Sequence, residues 1–141
     1  MRSLTLLAAL ALAGAALAHA LLTQATPAPD STVKRLPATV QLAFSEPVEM
    51  ALSSFKVYSL GPKDLASAKR EAARVFRTLL GSTNDQAQRA DAGVVGNPQT
   101  AERVELKLKE SLKPGAYAVM WRVLSVDTHP SEGFYVFVYQ P

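Results

Sequence analysis

Strict period-two alternation constrains this chain more than any other feature. In "RVELKLK", Val104, Leu106 and Leu108 alternate with Glu105, Lys107 and Lys109. Successive strand side chains point to opposite faces, so such a run turns one face to a core and the other to water. "TVQLAFSEP" repeats the pattern with Val40, Leu42 and Phe44 and stops at Pro47, which has no N–H for a sheet ladder. "SSFKVYSL" sets Phe55 and Val57 against Lys56 and Tyr58, and the chain closes with two aromatic and β-branched runs, "AYAVMWRVL" and "GFYVFVYQ". Tyr117 and Trp121 share an alternating face with Val119 and Val123 and are expected in the core. In "LKPGAY", Pro114 and Gly115 suit a type II turn, and "TPAPDST" reads as a proline-stiffened extended loop. Five or more such strands predict an all-β domain, an antiparallel sandwich or small Greek-key barrel.

One segment departs from the pattern. From Asp64 to Leu80, the apolar residues Leu65, Ala68, Ala72, Val75, Phe76 and Leu79 recur at helical spacing, with Asp64 placed to cap the start and Gly81 to end it. The opposite face carries Lys69, Arg70, Arg74 and Arg77. These are expected in water above an open sheet, contact with an anionic membrane or an acidic partner being the other use. "STNDQAQRADAGVVGNPQT" then predicts a long polar surface loop. Residues 61–101 are thus expected to form a helix-and-loop insertion.

The start of the chain has Arg2, an uncharged apolar run from Leu4 to Leu17 and small residues through Ala18. That is the layout of a secretory signal peptide over residues 1–18, and the run is too short to span a bilayer, which takes about 20 residues. Ala16-Leu17-Ala18 and Ala18-His19-Ala20 both fit the small-x-small cleavage rule; cutting after Ala18 makes His19 the new terminus, and cutting after Ala20 deletes it. The apolar Leu17 favours the first. The exported chain, residues 19–141, is the size of one domain. Losing Arg2 leaves 14 basic and 12 acidic residues, a net charge of +2 that gives no concentrated basic face for nucleic acid. No later segment is long and apolar enough to cross a membrane, so no integral membrane segment is expected in the mature form, nor fusion to an importer. There are no cysteines, so a metal site has to use nitrogen and oxygen ligands.

Only two histidines exist in the chain. The second lies in "VLSVDTHPSEG", where extended backbone would set Asp127 and His129 on one face. An imidazole and a carboxylate make an incomplete metal site. A terminal His19 would add its α-amine and ring Nδ1 as a chelating pair. Three nitrogens and one oxygen in a plane suit Cu(II), the strongest binder of the divalent series. A Cu(I) site of sulfur ligands is not supported, since only Met50 and Met120 remain after export.

With "AHALL…TPAPDSTV" at the mature start, "VQLAFSEPVE" in the second strand and "PGAYAVMWRVLSVDTHPSEGFYVFV" at the end, the sequence resembles the CopC family of periplasmic copper-binding proteins. The resemblance covers roughly residues 19–60 and 102–139 and implies an immunoglobulin-like Greek-key fold in a single domain over residues 19–141. It also implies one Cu(II) per chain held by His19, Asp127 and His129, cleavage after Ala18, a periplasmic role in copper tolerance or delivery, and a CopD-type inner-membrane importer as partner. Glu46 in "FSEP" matches a glutamate near the family's N-terminal site and is expected to act, if at all, from outside the ligand set. The absence of a methionine-rich stretch points to the single-site Cu(II) branch. The extra length of residues 61–101 has no counterpart motif.

Two other functions compete with a non-enzymatic copper carrier. A histidine-brace copper oxidase needs an open equatorial position, which a coordinated Asp127 would fill. A metal-free interaction domain on the same sandwich is the other, because a fold does not settle a function; a mature start at Leu21, or no copper signal with three nitrogens, would favour it.

Overall fold

A computed structural model of the chain describes residues 19–141; the signal-peptide assignment to residues 1–18 lies outside the described residues. The strands are β1 (Leu22–Thr26), β2 (Thr32–Val33), β3 (Thr39–Glu49), β4 (Ser54–Gly61), β5 (Asp91–Val94), β6 (Thr100–Leu108), β7 (Gly115–Leu124) and β8 (Pro130–Tyr139), with one helix, α1 (Leu65–Gly81). A single 3-10 turn, Met50–Leu52, joins β3 to β4. Two four-stranded sheets form, in the orders β1-β3-β6-β5 and β2-β8-β7-β4. All pairs are antiparallel except β2 with β8. The sheets stay separate, so the all-β expectation holds as an open sandwich rather than a closed barrel.

The alternating residues meet between the sheets as expected. Val40, Leu42 and Phe44 of β3 and Val104, Leu106 and Leu108 of β6 face Phe55, Val57, Tyr117, Val119, Trp121 and Phe137 in one core. Gly133 is fixed by this packing, because a Cβ there would lie 2.6 Å from the Trp121 ring. Gly115 has φ +147°, away from the roughly +80° of a type II turn. Its smallness serves a close approach, since a Cβ would meet the Gly61 carbonyl oxygen at 2.7 Å.

The helix begins where expected, with the Asp64 carboxylate accepting from the Ser67 N–H at 2.9 Å. It ends one residue later than expected: Gly81 is its last residue and Ser82 the cap. α1 lies across the outer face of β4, β7 and β8, where Ala68, Ala72 and Leu80 pack on Tyr58, Leu60, Ala116, Ala118, Met120 and Val136 in a second core. This is why "AYAVMW" is apolar at every position: β7 is buried on both faces. Met120 is fully buried there, away from any ligand role. The basic side of α1 faces outward, with Lys69 paired to Asp30 at 2.7 Å and Arg77 to Glu132 at 2.9 Å.

Two sequence expectations fail on this side. Lys56 and Tyr58, the polar half of an alternating strand, are buried beneath the C-terminal end of α1. The segment after α1 is no simple surface loop, because it contains the edge strand β5 and buries Asp85 and Asp91. The cause is a polar network. Lys56 Nζ donates to Asp85 at 2.7 Å and to the carbonyls of Ser82 at 2.7 Å and Leu79 at 3.0 Å, satisfying acceptors left over at the helix end. The Tyr58 hydroxyl donates to the same Asp85 carboxylate. Asp91 accepts from the Val57 N–H at 2.7 Å and lies 3.4 Å from Arg89. Desolvation works to raise the Asp85 carboxyl, but hydrogen bonds from Lys56 and Tyr58 and the Lys56 charge outweigh it and hold it below the usual range. Tyr58 is pushed up by burial and by its bond to Asp85.

Candidate metal centre

Strand β3 carries both histidine-bearing segments. At Ser45 it grips the chain that leads into β1. The Ser45 hydroxyl donates to the His19 carbonyl at 3.2 Å and accepts from the Leu21 N–H at 3.0 Å, while the Ser45 N–H donates to the Leu21 carbonyl at 2.8 Å. Between these bonds Ala20 is fully buried in the main core, so the backbone on either side of it is pinned. His19 itself is exposed.

Three residues further on, β3 grips the β7–β8 turn. Val48 bridges to Ser125, and the Pro47 carbonyl accepts from the Val126 N–H at 3.2 Å. Ser125 is fully buried and shapes the turn: its hydroxyl accepts from the His129 N–H at 3.1 Å, its own N–H donates to the His129 carbonyl at 3.1 Å, and its carbonyl accepts from the Thr128 N–H at 2.9 Å. Pro130 then starts β8.

The result is that His19 and His129, from the two ends of the described chain, meet edge to face with ring centroids 5.5 Å apart and planes at 70°. Nδ1 of His129 is buried with no hydrogen-bond partner, and so is Oε1 of Glu46, the residue after Ser45. A buried imidazole nitrogen left without a partner is costly, and a metal ion satisfies it as well as a proton donor would. Two imidazoles at this separation match the donor type that copper and zinc favour.

Asp127 does not join them. Residues 126–128 form a turn, with Thr128 at φ +68°, so the extended geometry that would align Asp127 with His129 is not realised. Asp127 lies exposed on that turn, and among the described residues no three His, Asp or Glu side chains converge as a metal-binding group. Sequence reasoning found both histidines but missed Ser45, Ser125 and Ala20. The two serines sit inside quoted motifs, and their only signal is that each recurs beside a candidate ligand segment.

The CopC domain model matches residues 22–140. Protein YobA of Escherichia coli (strain K12) is 35% identical over 120 residues, covering 85% of this chain and 77% of that protein. Copper resistance protein C of Escherichia coli is 30% identical over 122 residues, covering 86% and 82% respectively. Among solved structures, CopC from Methylosinus trichosporium OB3b superposes with a TM-score of 0.61 at 27% identity, over 87% of this chain and 95% of that one. The domain match spans both sheets and the turn bearing His129, so this chain belongs to the CopC family of copper-binding, copper-resistance proteins.

Proposed function

We propose that cleavage after Ala18 gives a mature protein starting at His19, which holds one Cu(II) through its α-amine, the His19 and His129 imidazoles and the Asp127 carboxylate. In the precursor the His19 nitrogen is a peptide nitrogen and a poor ligand. Cleavage makes it an amine that shares a chelate ring with the His19 side chain. Asp127, on the exposed turn two residues before His129, supplies the oxygen. Glu46 stays outside the ligand set and adds negative charge beside it. Three nitrogens and an oxygen favour Cu(II) over softer or tetrahedral ions.

The observation that carries this reading is the 5.5 Å approach of the two histidine rings, held by β3 from both sides. Ala20 supports the cleavage position, because a cut after it would remove a residue that is fully buried in the core. The family consists of copper-binding resistance and carrier proteins rather than enzymes. Within it, this chain acts in the periplasm as a one-site Cu(II) carrier or buffer and passes its ion to an inner-membrane importer of the CopD type.

Mass spectrometry of the secreted protein, followed by a Cu(II) titration, tests the proposal. A terminus at His19 and saturation at one equivalent are expected. A terminus at Leu21, or equal uptake by His129→Ala, would overturn the ligand assignment.

A further inference from the structure

Among the described residues, five large apolar side chains are exposed: Leu21, Leu52, Val94, Val95 and Val126. They are not scattered. The β3–β4 corner hydrogen-bonds to each segment that bears one, through Ser45 to Leu21, Pro47 to Val126 and Met50 to Gln99, the last closing the loop that follows Val94 and Val95. Leu52 and Val94 also line one surface hollow with Met50 and Pro98. Leu21, Leu52 and Val126 therefore lie at the end of the sandwich that carries His19 and His129, and Val94 and Val95 carry the apolar surface along β5, opposite Leu106 and Glu105 of β6.

Charge is sorted in the same way. The segments that build this end, residues 19–26, 43–53, 92–102 and 124–131, contain Glu46, Glu49, Glu102 and Asp127 and no lysine or arginine, and the exposed Arg103, opposite Ala43, is the base at their border. Arg122 and Arg77, on the flank of this end, are both engaged by Glu132. The opposite end is basic, with Lys34, Arg35, Lys107 and Lys109 around a second hollow.

We infer that the histidine-bearing end is a protein-docking face, and that its partner is a protein offering an apolar patch flanked by lysine or arginine. Exposed apolar residues gathered at a functional site mark an interaction surface, and complementary charge sets orientation and encounter rate. A second copy of this chain does not fit face to face, since the contact would bring eight carboxylates together with only the two Arg103 side chains at its border. The purpose of the face, close transfer of the ion, rests on the copper reading above. Its existence does not, so the test uses metal-free protein.

The probe is a synthetic amphipathic peptide of leucine and lysine, titrated into ¹⁵N-labelled protein beside a leucine–glutamate peptide of the same pattern. Amide shifts are expected in residues 19–22, 45–52, 94–99 and 124–129 with the lysine peptide only. The exposed double variant Leu52→Ser/Val94→Ser, with its circular dichroism unchanged, should bind at least about tenfold more weakly, the equivalent of roughly 1.4 kcal/mol. Shifts scattered over the surface, equal binding of the acidic peptide, or undiminished binding by the double variant would overturn the inference. So would phosphatidylcholine vesicles that move the same resonances, because the face would then be a lipid contact.

Discussion

Ser45 is the residue that fastens the His19 segment to β3, because its hydroxyl and N–H hold the backbone on both sides of Ala20. Replacing it with alanine leaves the rings in place only by packing, so Ser45→Ala is expected to lower Cu(II) affinity by about tenfold, the range for groups that orient ligands. His129→Ala should cost roughly a hundredfold or more, and Asp127→Asn less than that, both read by competition against a calibrated chelator. Gly133→Ala forces a methyl against Trp121 and is expected to destabilise the fold by about 1–3 kcal/mol in urea unfolding. The histidines were legible in the sequence because there are only two, one after a cleavage motif and one in a DxH pair. Ser45 was not, since a serine in an alternating strand looks the same whether it faces water or holds a terminus. The placement of Asp127 was not legible for a related reason: spacing predicts a shared face only where the backbone is extended, and Thr128, at φ +68°, turns it.

The inner faces of β3, β6 and β7 followed directly from period-two alternation, and α1 from its 3.6-residue spacing and Asp64 cap. What alternation does not reveal is a sheet covered on both sides. Lys56 and Tyr58 read as solvent-facing because the helix that covers them comes later in the chain, and Asp85 and Asp91 read as loop because their partners lie on β4 and beyond. Lys56 is nearly inaccessible and ties the end of α1 to Asp85, so Lys56→Met leaves a buried carboxylate with only the more distant Arg89, at 3.9 Å, as a charge partner. The expected loss is about 3–5 kcal/mol, measured by chemical denaturation. Copper affinity should stay at the parent value, because the network is buried beneath the C-terminal end of α1 and neither histidine bonds to any member of it.

On the scale of the molecule, acid acts on the two regions at different pH. Amine and imidazole ligands have to shed protons to bind a metal, so copper is expected to leave first as pH falls. The Asp85 network responds later. The folded-state carboxyl is depressed below its unfolded value, so its stabilisation is complete above about pH 4 and is lost only as pH drops through the lower folded value. Parallel titrations followed by visible absorption and by circular dichroism should therefore separate, with the copper band gone while the β-sheet signal persists. The most direct measurement on the site is paramagnetic resonance of the secreted protein with one equivalent of Cu(II), beside the same chain with its His19 α-amine acetylated. Coupling to three nitrogens is expected in the first, with the chelate signature lost and affinity reduced in the second. Identical spectra and affinities for the two would contradict an α-amine ligand, and with it the claim that export creates the copper site.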